Sequence, residues 1–213
     1  MDPKVRDRTN DELLVRKKEF LKICDILDVL KINYFLTSGV LLGAVRDNDL
    51  IKWDWDIEIS VFANELLPKI DLVSTQLQKA EFKIDKIIRD KDNSKIDFIG
   101  SYPKNVTAYT IYAYKYSKIR DVYWRKELTI PFKFLKKFSK INFLGRNFNC
   151  PINLNEYLTF VYGDWKKPLR TSNKKVYLTK NYKKKTLFVT IYIEKFLMKI
   201  YGYTIMIKKL LKS

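Results

Sequence analysis

The chain has 213 residues, which is long enough for one hydrophobic core with a small appendage, and its hydrophobic content of 46% is that of a folded globular protein rather than a disordered one. It contains no histidine, which excludes a histidine-based catalytic triad, an HExxH zinc site and a histidine general base. The formal net charge is +18, and residues 166–213 carry +13 of it, with fourteen Lys and Arg against the single acid Glu194.

The chain contains two cysteines, Cys24 and Cys150, far apart and in apolar contexts, so we expect buried free thiols rather than a disulfide. No run reaches the roughly 18 uncharged apolar residues that a transmembrane helix needs. The N-terminal segment, Met1–Arg8, is polar and lacks a signal-peptide core. These features predict a cytoplasmic protein.

The first half of the chain alternates predicted helices and strands. Thr9-Asn-Asp-Glu12 is a capping-box pattern, which predicts a helix from here to about Lys31. Residues 33–36 are predicted as a strand that enters a Ser38-Gly39 turn, followed by a short helix over 40–47, a strand over 53–61 and a helical region over 63–81 that Pro68 interrupts.

The second half is richer in predicted strands. Extended segments are predicted over 82–89, 95–101, 107–114, 128–131 and 140–148, and a helix over 153–162 with Asn153 as its candidate N-cap. The pattern predicts a mixed α/β (α+β) fold in which helices flank a small mixed β-sheet. We expect a catalytic domain over residues 1–170 and a basic, amphipathic helical tail over residues 171–213.

Three acidic residues stand at alternate positions of the second predicted strand: Asp54, Asp56 and Glu58. Alternate residues of a strand project from the same face, and carboxylates that converge there repel one another unless a cation lies between them. Such hard oxygen ligands suit Mg²⁺ or Mn²⁺. The competing interpretation is an exposed strand with a solvated acidic face, but Asp97 within a short apolar strand is less easily explained in that way.

The residues before these acids are suited to binding phosphate. A Ser38-Gly39 turn can bring backbone N–H groups close to an anion, Gly43 is another of only six glycines, and Arg46 is a fixed cation. For Arg46 the alternative is a surface ion pair with Asp47 or Asp49. Trp53 and Trp55 alternate with the acids, so we expect both to point to the opposite, buried side of the strand.

These motifs resemble the LicD/fukutin family of the nucleotidyltransferase-fold superfamily. The first element of the family stands here as Ser38-Gly-Val-Leu-Leu-Gly-Ala-Val-Arg46, followed by Ile51-Lys-Trp-Asp-Trp-Asp-Ile-Glu-Ile59. A later acidic strand corresponds to Asp97, and a C-terminal element is found as Pro151, Tyr157-Leu158, Tyr162-Gly163-Asp164 and Pro168. The resemblance covers about residues 12–168.

The sequence departs from the family pattern at several positions. Val40 replaces a threonine, Lys52 a proline, Trp55 the middle aspartate and Glu58 an aspartate, and the loop over residues 47–50 is more acidic than usual. None of these changes removes the acidic site.

The resemblance implies a nucleotidyltransferase-like fold and a catalytic site made of Asp54, Asp56, Glu58 and Asp97. Asp56 and Glu58 would hold the metal, Asp97 on the neighbouring strand would bridge a second metal or accept a proton, and Asp54 would complete the shell or orient Lys52 and Arg46. Ser38, Gly39, Gly43, Arg46 and Lys52 are the candidate phosphate-binding residues. The residues 162–165 are expected to close the fold beside the site.

The implied reaction is transfer of phosphocholine or a phospho-alditol from a CDP-linked donor to a sugar hydroxyl of a surface glycan or a lipid-linked sugar acceptor. Two alternatives remain: a nucleotidyltransferase that makes an activated nucleotide from a nucleoside triphosphate, and a non-catalytic binding protein.

The predicted tail allows three interpretations. Between residues 186 and 212 apolar runs alternate with lysines, which fits a basic amphipathic helix on an anionic membrane surface, peripheral on its inner face. It fits equally a helical subdomain packed on the core. Nucleic-acid binding is disfavoured, because the apolar runs are too dense for a solvated arm.

Overall fold

The computed structural model describes residues 5–90, 93–100, 107–126 and 128–182, together with Phe196, Lys199 and Ile200. The helices are α1 (Asn10–Val29), α2 (Ser38–Arg46), α3 (Ala63–Leu66), α4 (Ile70–Lys79), α5 (Phe132–Leu135), α6 (Leu154–Tyr162) and α7 (Lys174–Tyr177), with a 3₁₀ turn at Leu67–Lys69. The strands are β1 (Tyr34–Phe35), β2 (Asp56–Phe62), β3 (Lys83–Ile88), β4 (Lys95–Ile99), β5 (Ala108–Ser117), β6 (Val122–Arg125), β7 (Leu128–Pro131), β8 (Phe138–Phe143) and β9 (Arg146–Pro151).

A mixed sheet organises the described part of the chain. Its main path runs β1-β2-β5-β4-β3, and β6 and β7 extend it from the C-terminal end of β5. Strands β2 and β5 run parallel, whereas β1 is antiparallel to β2, and β4 is antiparallel to both β5 and β3. Strands β8 and β9 form a separate hairpin. This arrangement confirms the predicted mixed α/β class.

The strand register aligns polar residues in rows on one face of the sheet, because residues paired across neighbouring strands project to the same side. One row is Glu58, Thr110 and Asp97, and the next is Ser60, Tyr112 and Lys95. We call this side the polar face. The opposite face carries buried apolar side chains, including Ile57, Phe98 and Tyr109.

Helix α1 covers the apolar face of the sheet. Its start agrees with the predicted capping box, since Thr9 accepts a hydrogen bond from the Glu12 backbone N–H while the Glu12 side chain bonds back to the Thr9 N–H. Near its middle, the Tyr109 hydroxyl of β5 donates to the Glu19 carboxylate at 2.7 Å. The helix is therefore anchored both at its N-terminus and on the sheet.

Several boundaries differ from those predicted. Strand β2 begins at Asp56 rather than Trp53, because residues 52–53 form a turn that continues into an irregular segment. Strand β6 was not predicted, and the extended segment over 140–148 is in fact the β8–β9 hairpin with its turn at Leu144-Gly145. The interruption at Pro68 is confirmed as the 3₁₀ turn between α3 and α4.

The described beginning of the predicted tail packs on the body of the domain. The Thr179 N–H donates to the Val161 carbonyl at 2.9 Å, and the Thr129 N–H donates to the Tyr182 carbonyl at 3.0 Å. Tyr182 is 2% exposed and belongs to the hydrophobic core. The folded unit thus continues past the expected boundary at residue 170, at least to residue 182.

The rest of the tail prediction concerns residues 186–212, which lie outside the described residues apart from Phe196, Lys199 and Ile200. Among the helices that the structure describes, none is both long and apolar enough to cross a membrane. Cys24 and Cys150 are buried free thiols, which confirms the expectation that they do not pair.

Candidate active site

A cleft opens on the polar face of the sheet at the N-terminal end of β2. Its floor is formed by β2 and the N-terminus of α2, and one side is formed by residues 162–182, which we call the closing segment. The residues that matter for its chemistry are Ser38, Gly39, Arg46, Trp53, Asp54, Asp56, Glu58, Arg125, Tyr162, Trp165, Lys174 and Tyr177.

Asp56 and Glu58 supply two carboxylates from consecutive polar-face positions of β2. Burial, together with the charges of Glu58 and Asp54, raises the pKa of Asp56 well above its ordinary value. Like charges held this close in a shielded site are stabilised by a bound cation or by a proton. Either a bound cation or a proton would therefore relieve the repulsion between these carboxylates.

Asp54 lies in the irregular segment before β2, but its carboxylate still lines the cleft. Its Oδ1 accepts a hydrogen bond from the Trp55 N–H at 3.0 Å, and its Oδ2 occupies the space beside Gly39 that a side chain there would need. A Cβ at position 39 would overlap this oxygen. Burial raises the pKa of Asp54 to about 6, although the nearby Arg16 opposes the rise.

Arg16 fixes this acidic segment from below, a role that the sequence analysis did not identify. It is 1% exposed, and its guanidinium donates to the carbonyl oxygens of Asp54 at 2.7 Å and Asp56 at 3.2 Å. The residue stands in the buried stripe of α1, one turn before Phe20. A charged residue within a helical apolar stripe was the signal that could have revealed it.

Ser38 and Gly39, predicted as a turn before a helix that starts at residue 40, are in fact the first turn of α2, and hydroxyl contacts hold this Ser38-Gly39 turn beside the carboxylates. Ser38 has a positive φ of 53°, unusual for a residue with a side chain, and its Oγ lies 2.7 Å from the Tyr112 hydroxyl. The Thr37 hydroxyl contacts the same Tyr112 hydroxyl at 3.0 Å and also pairs with Ser60. The structure therefore brings Ser38 and Gly39 together with Asp54, Asp56 and Glu58.

The other predicted phosphate-binding residues have different positions. Arg46 lines the cleft, but it makes a two-bond ion pair with Asp47, with both N···O distances 2.8 Å. Lys52 is exposed and outside the cleft lining. Gly43 allows α2 to approach the following loop, since a Cβ there would strike the Asp49 carbonyl. Gly43 thus acts in packing.

Asp97 is separated from the β2 carboxylates. It lies on β4, and β5 rather than β4 is the strand that neighbours β2. Thr110 of β5 stands between Glu58 and Asp97 in the row, so the two acidic positions are about 10 Å apart at the usual strand spacing. Asp97 instead accepts a hydrogen bond from Thr110 at 2.9 Å and pairs with Lys95.

This placement changes the predicted metal site. In the described ranges, no three His, Cys, Asp or Glu side chains are grouped so that they could hold a metal ion. Asp56 and Glu58 remain as a pair on one strand. Two carboxylates fit Mg²⁺ in the way that it binds with substrate phosphates, because the phosphate oxygens and water then complete the octahedral shell.

Arg125 of the unpredicted strand β6 is a further cleft residue. It is 8% exposed, its Cζ lies 3.6 Å from the centre of the Tyr112 ring, and one of its Nη atoms is 3.9 Å from Glu58 Oε1. The β-branched and aromatic run Val122-Tyr-Trp before Arg125 was a strand signal that could have located it.

Aromatic side chains line much of the cleft. Trp53 and Trp55 both border it, contrary to the expectation that they face away, because the residues before Asp56 do not follow strand alternation. On the closing segment, the rings of Tyr162 and Tyr177 stack with their centres 6.4 Å apart. Lys174, between them in the chain, contributes positive charge that opposes the raised pKa of Asp56.

A comparison of the sequence with known protein families finds a match that covers most of the site. Residues 31–153 match the sequence model of the family described as LicD/FKTN/FKRP, nucleotidyltransferase domain. That range includes the Ser38-Gly39 turn, the β2 carboxylates and Arg125, but neither Arg16 nor the closing segment.

The chain is also similar to human ribitol 5-phosphate transferase FKRP, with 22% identity over 147 residues, and to the mouse protein of the same name, with 21% identity over 147 residues. Each match covers 66% of this chain but only 30% of the relative. This chain therefore corresponds to less than a third of the length of those proteins.

Two solved structures of ANT(2″)-Ia resemble the fold. The crystal structure in complex with adenylyl-2″-tobramycin has a TM-score of 0.45 at 10% identity and covers 64% of this chain and 68% of that one. The solution structure of the same antibiotic-resistance factor has a TM-score of 0.48 at 11% identity, with coverages of 92% and 96%.

Proposed function

Because this chain belongs to the LicD/FKTN/FKRP nucleotidyltransferase-domain family, we propose that it is a metal-dependent transferase that moves a phospho-headgroup from a CDP-activated donor to a sugar hydroxyl. The observation that carries this proposal is the meeting, in one cleft, of the Asp56 and Glu58 carboxylates with the Ser38-Gly39 turn. The two carboxylates are suited to binding a cation, and the Ser38-Gly39 turn is suited to binding a phosphate.

Asp56 and Glu58 would hold Mg²⁺ or Mn²⁺. When bound, the ion would supply positive charge that stabilises the donor diphosphate and the CMP leaving group. The backbone at Ser38-Gly39 binds the same diphosphate, at the N-terminus of α2 where the helix dipole favours an anion.

Transfer requires that the acceptor hydroxyl lose a proton as its oxygen bonds to the headgroup phosphorus. The bond between that phosphorus and the bridging oxygen breaks, and CMP departs with the electron pair. We assign the role of proton acceptor to Asp54, because it lines the cleft and is not part of the Asp56–Glu58 pair. Asp97 bonds to Thr110 and Lys95 and is not in the cleft lining.

The donor headgroup is proposed from the relatives. The two curated relatives are named ribitol 5-phosphate transferases, which favours a phospho-alditol over phosphocholine. The acceptor we propose is a hydroxyl of a glycan or of a lipid-linked sugar. The aromatic side chains Trp53 and Trp165 in the cleft lining offer flat apolar surfaces of the kind on which a sugar ring or a nucleobase packs.

The test is a product assay with CDP-ribitol, CDP-glycerol, CDP-choline and CTP, with and without Mg²⁺ or Mn²⁺, in the presence of an alditol or oligosaccharide acceptor. We expect metal-dependent CMP release with one CDP donor and a loss of at least about 100-fold in Asp56→Asn, the scale of losing a metal-held transition state. The matched control is Asp85→Asn, which removes an exposed carboxylate from the edge strand β3.

The products also separate the alternatives. Pyrophosphate released from CTP, with no CMP from any CDP donor, would make the protein a nucleotidyltransferase. CMP release that persists unchanged in Asp56→Asn would remove the proposed site from the mechanism. If calorimetry detects no binding of Mg²⁺ or Mn²⁺ by the wild type, the non-catalytic alternative would be favoured.

A further inference from the structure

Arg125 is a buried cation whose position is not explained by packing alone. It lies on β6, 8% exposed, and its guanidinium is stacked 3.6 Å above the Tyr112 ring centre on the polar face of the sheet. Burying a guanidinium is costly unless its N–H groups are bonded. Its Nε is buried and has no hydrogen-bond partner among the described residues.

The carboxylate that faces Arg125 does not engage it closely. The distance from its Nη to Glu58 Oε1 is 3.9 Å, which is beyond a hydrogen bond. By contrast, Arg46 of the same cleft forms two hydrogen bonds of 2.8 Å with Asp47. An arginine that served only to neutralise Glu58 would be expected to form such a fork, so the guanidinium retains donors for a further anion.

The Tyr112 ring joins Arg125 to the anion-binding turn. Its face supports the guanidinium, while its hydroxyl lies 2.7 Å from Ser38 Oγ. A guanidinium held over an aromatic ring is fixed in position, while its N–H groups remain able to donate to an anion. Arg125 and Ser38 therefore border the same part of the cleft, next to Glu58.

We propose that Arg125 binds the phosphoryl group that is transferred, donating from its guanidinium to phosphoryl oxygens that lie between Glu58 and the Ser38-Gly39 turn. This inference rests on the proposed function for the identity of the anion and deepens it by naming a catalytic residue. Guanidinium N–H groups match the spacing of phosphate oxygens and remain charged at all relevant pH values.

The test measures anion binding without turnover. Inorganic pyrophosphate in the presence of Mg²⁺ is titrated by calorimetry into the wild type, Arg125→Gln, Arg125→Lys and the control Arg146→Gln, whose arginine pairs with Asp25 and Asp28 on the surface. We expect Arg125→Gln to weaken binding roughly 10-fold or more, the scale of a lost charge-assisted hydrogen bond. Arg146→Gln is expected to bind as the wild type does.

Arg125→Lys covers the case in which Arg125→Gln fails to fold. Lysine keeps a positive charge near Glu58 but loses the planar fork, so we expect a folded protein with affinity between those of the wild type and Arg125→Gln. As a further readout, millimolar guanidinium is expected to restore part of the affinity of Arg125→Ala, which a purely structural role would not produce.

The outcomes distinguish this inference from the proposed function. The role of Arg125 would be overturned if folded Arg125→Lys and Arg125→Gln bound pyrophosphate as tightly as the wild type does. It would also be overturned if the wild type did not bind pyrophosphate. If Arg125 supports pyrophosphate binding but no CDP donor releases CMP, the proposed function fails and the anion site stands.

Discussion

At the scale of single residues, the site is shaped by side chains that act on the three acids of the cleft. Arg16 holds the carbonyls of Asp54 and Asp56 from the core side, and Arg125 faces Glu58 from above the sheet. The main chain of the acidic segment is thus held in place, while Arg125, at 3.9 Å, balances the charge of Glu58 only in part. In the proposed function, a cation bound at this site would attract the anionic donor.

Gly39→Ala tests the close contact between the Ser38-Gly39 turn and Asp54. The new Cβ would overlap Asp54 Oδ2, the end of a flexible side chain, so the carboxylate is expected to turn away while the backbone stays in place. We expect CMP release to fall about 10-fold or more, with the free energy of unfolding changed by less than about 1 kcal/mol. Turnover kinetics and urea unfolding measure the two effects.

Gly43→Ala is the matched control on the same helix. Its Cβ would meet the Asp49 carbonyl, which is main chain and cannot turn aside. This substitution is expected to cost about 1–3 kcal/mol of stability. If Gly39→Ala instead lost stability and Gly43→Ala lost only activity, the assignment of site and packing roles to these glycines would be reversed.

At the scale of elements, α1 links the N-terminal cap to the site. The capping box at Thr9 and Glu12 starts the helix. Arg16, one turn further on, ties the helix to the acidic segment through its hydrogen bond to the Asp54 carbonyl. Hydrogen bonds from Arg6 and from the Thr9 N–H lower the pKa of Glu12 from its ordinary value of 4.5 to about 2. The cap is therefore also an ionic contact.

Glu12→Gln tests this contact through its pH dependence. A carboxyl whose pKa is lower in the folded than in the unfolded state stabilises the fold above the unfolded value, and the gain disappears as pH falls through the folded value. We expect Glu12→Gln to be about 1 kcal/mol less stable than the wild type at pH 7, with the difference shrinking between pH 4.5 and about 2.

Urea unfolding at several pH values measures the effect. The control is Asp11→Asn, which removes a carboxylate from the same helical turn and is expected to change stability by no more than about 0.5 kcal/mol. A stability difference for Glu12→Gln that is constant from pH 7 to pH 2 would contradict an ionic role for the cap.

At the scale of the whole molecule, the polar face of the sheet is closed at one end and open at the other. Where β2 and β5 end, Tyr114 on this face bonds to the Tyr182 hydroxyl at 2.9 Å, and Phe160 packs edge-on against the Tyr182 ring. At the opposite end, near Asp56, the cleft opens. The closing segment therefore completes the core and borders the site.

Tyr182→Ala tests whether the fold includes the closing segment. Removing a fully buried aromatic side chain is expected to cost about 3 kcal/mol or more, measured by urea unfolding. The control is Val176→Ala in α7, where the side chain is 59% exposed and the expected change is within about 0.5 kcal/mol. A cost below about 1 kcal/mol for Tyr182→Ala would restore the domain boundary near residue 170.

The sequence by itself determined the local features and the family. The capping box at Thr9, the interruption at Pro68, the free buried thiols and the adjacent motifs at Ser38-Gly39 and Asp56–Glu58 depend on residues close together in the chain, where spacing and backbone chemistry are sufficient. The same motifs led to the LicD/fukutin resemblance, which the family match confirms.

The tertiary structure alone decided which distant residues meet. Strand order placed β5 between the acids of β2 and Asp97, and the turn before Asp56 directed both tryptophans into the cleft. Arg16, Arg125 and the closing segment reached the site from separate parts of the chain. The physical reason is that strand pairing and core packing are long-range interactions, which the periodicity of a single segment does not encode.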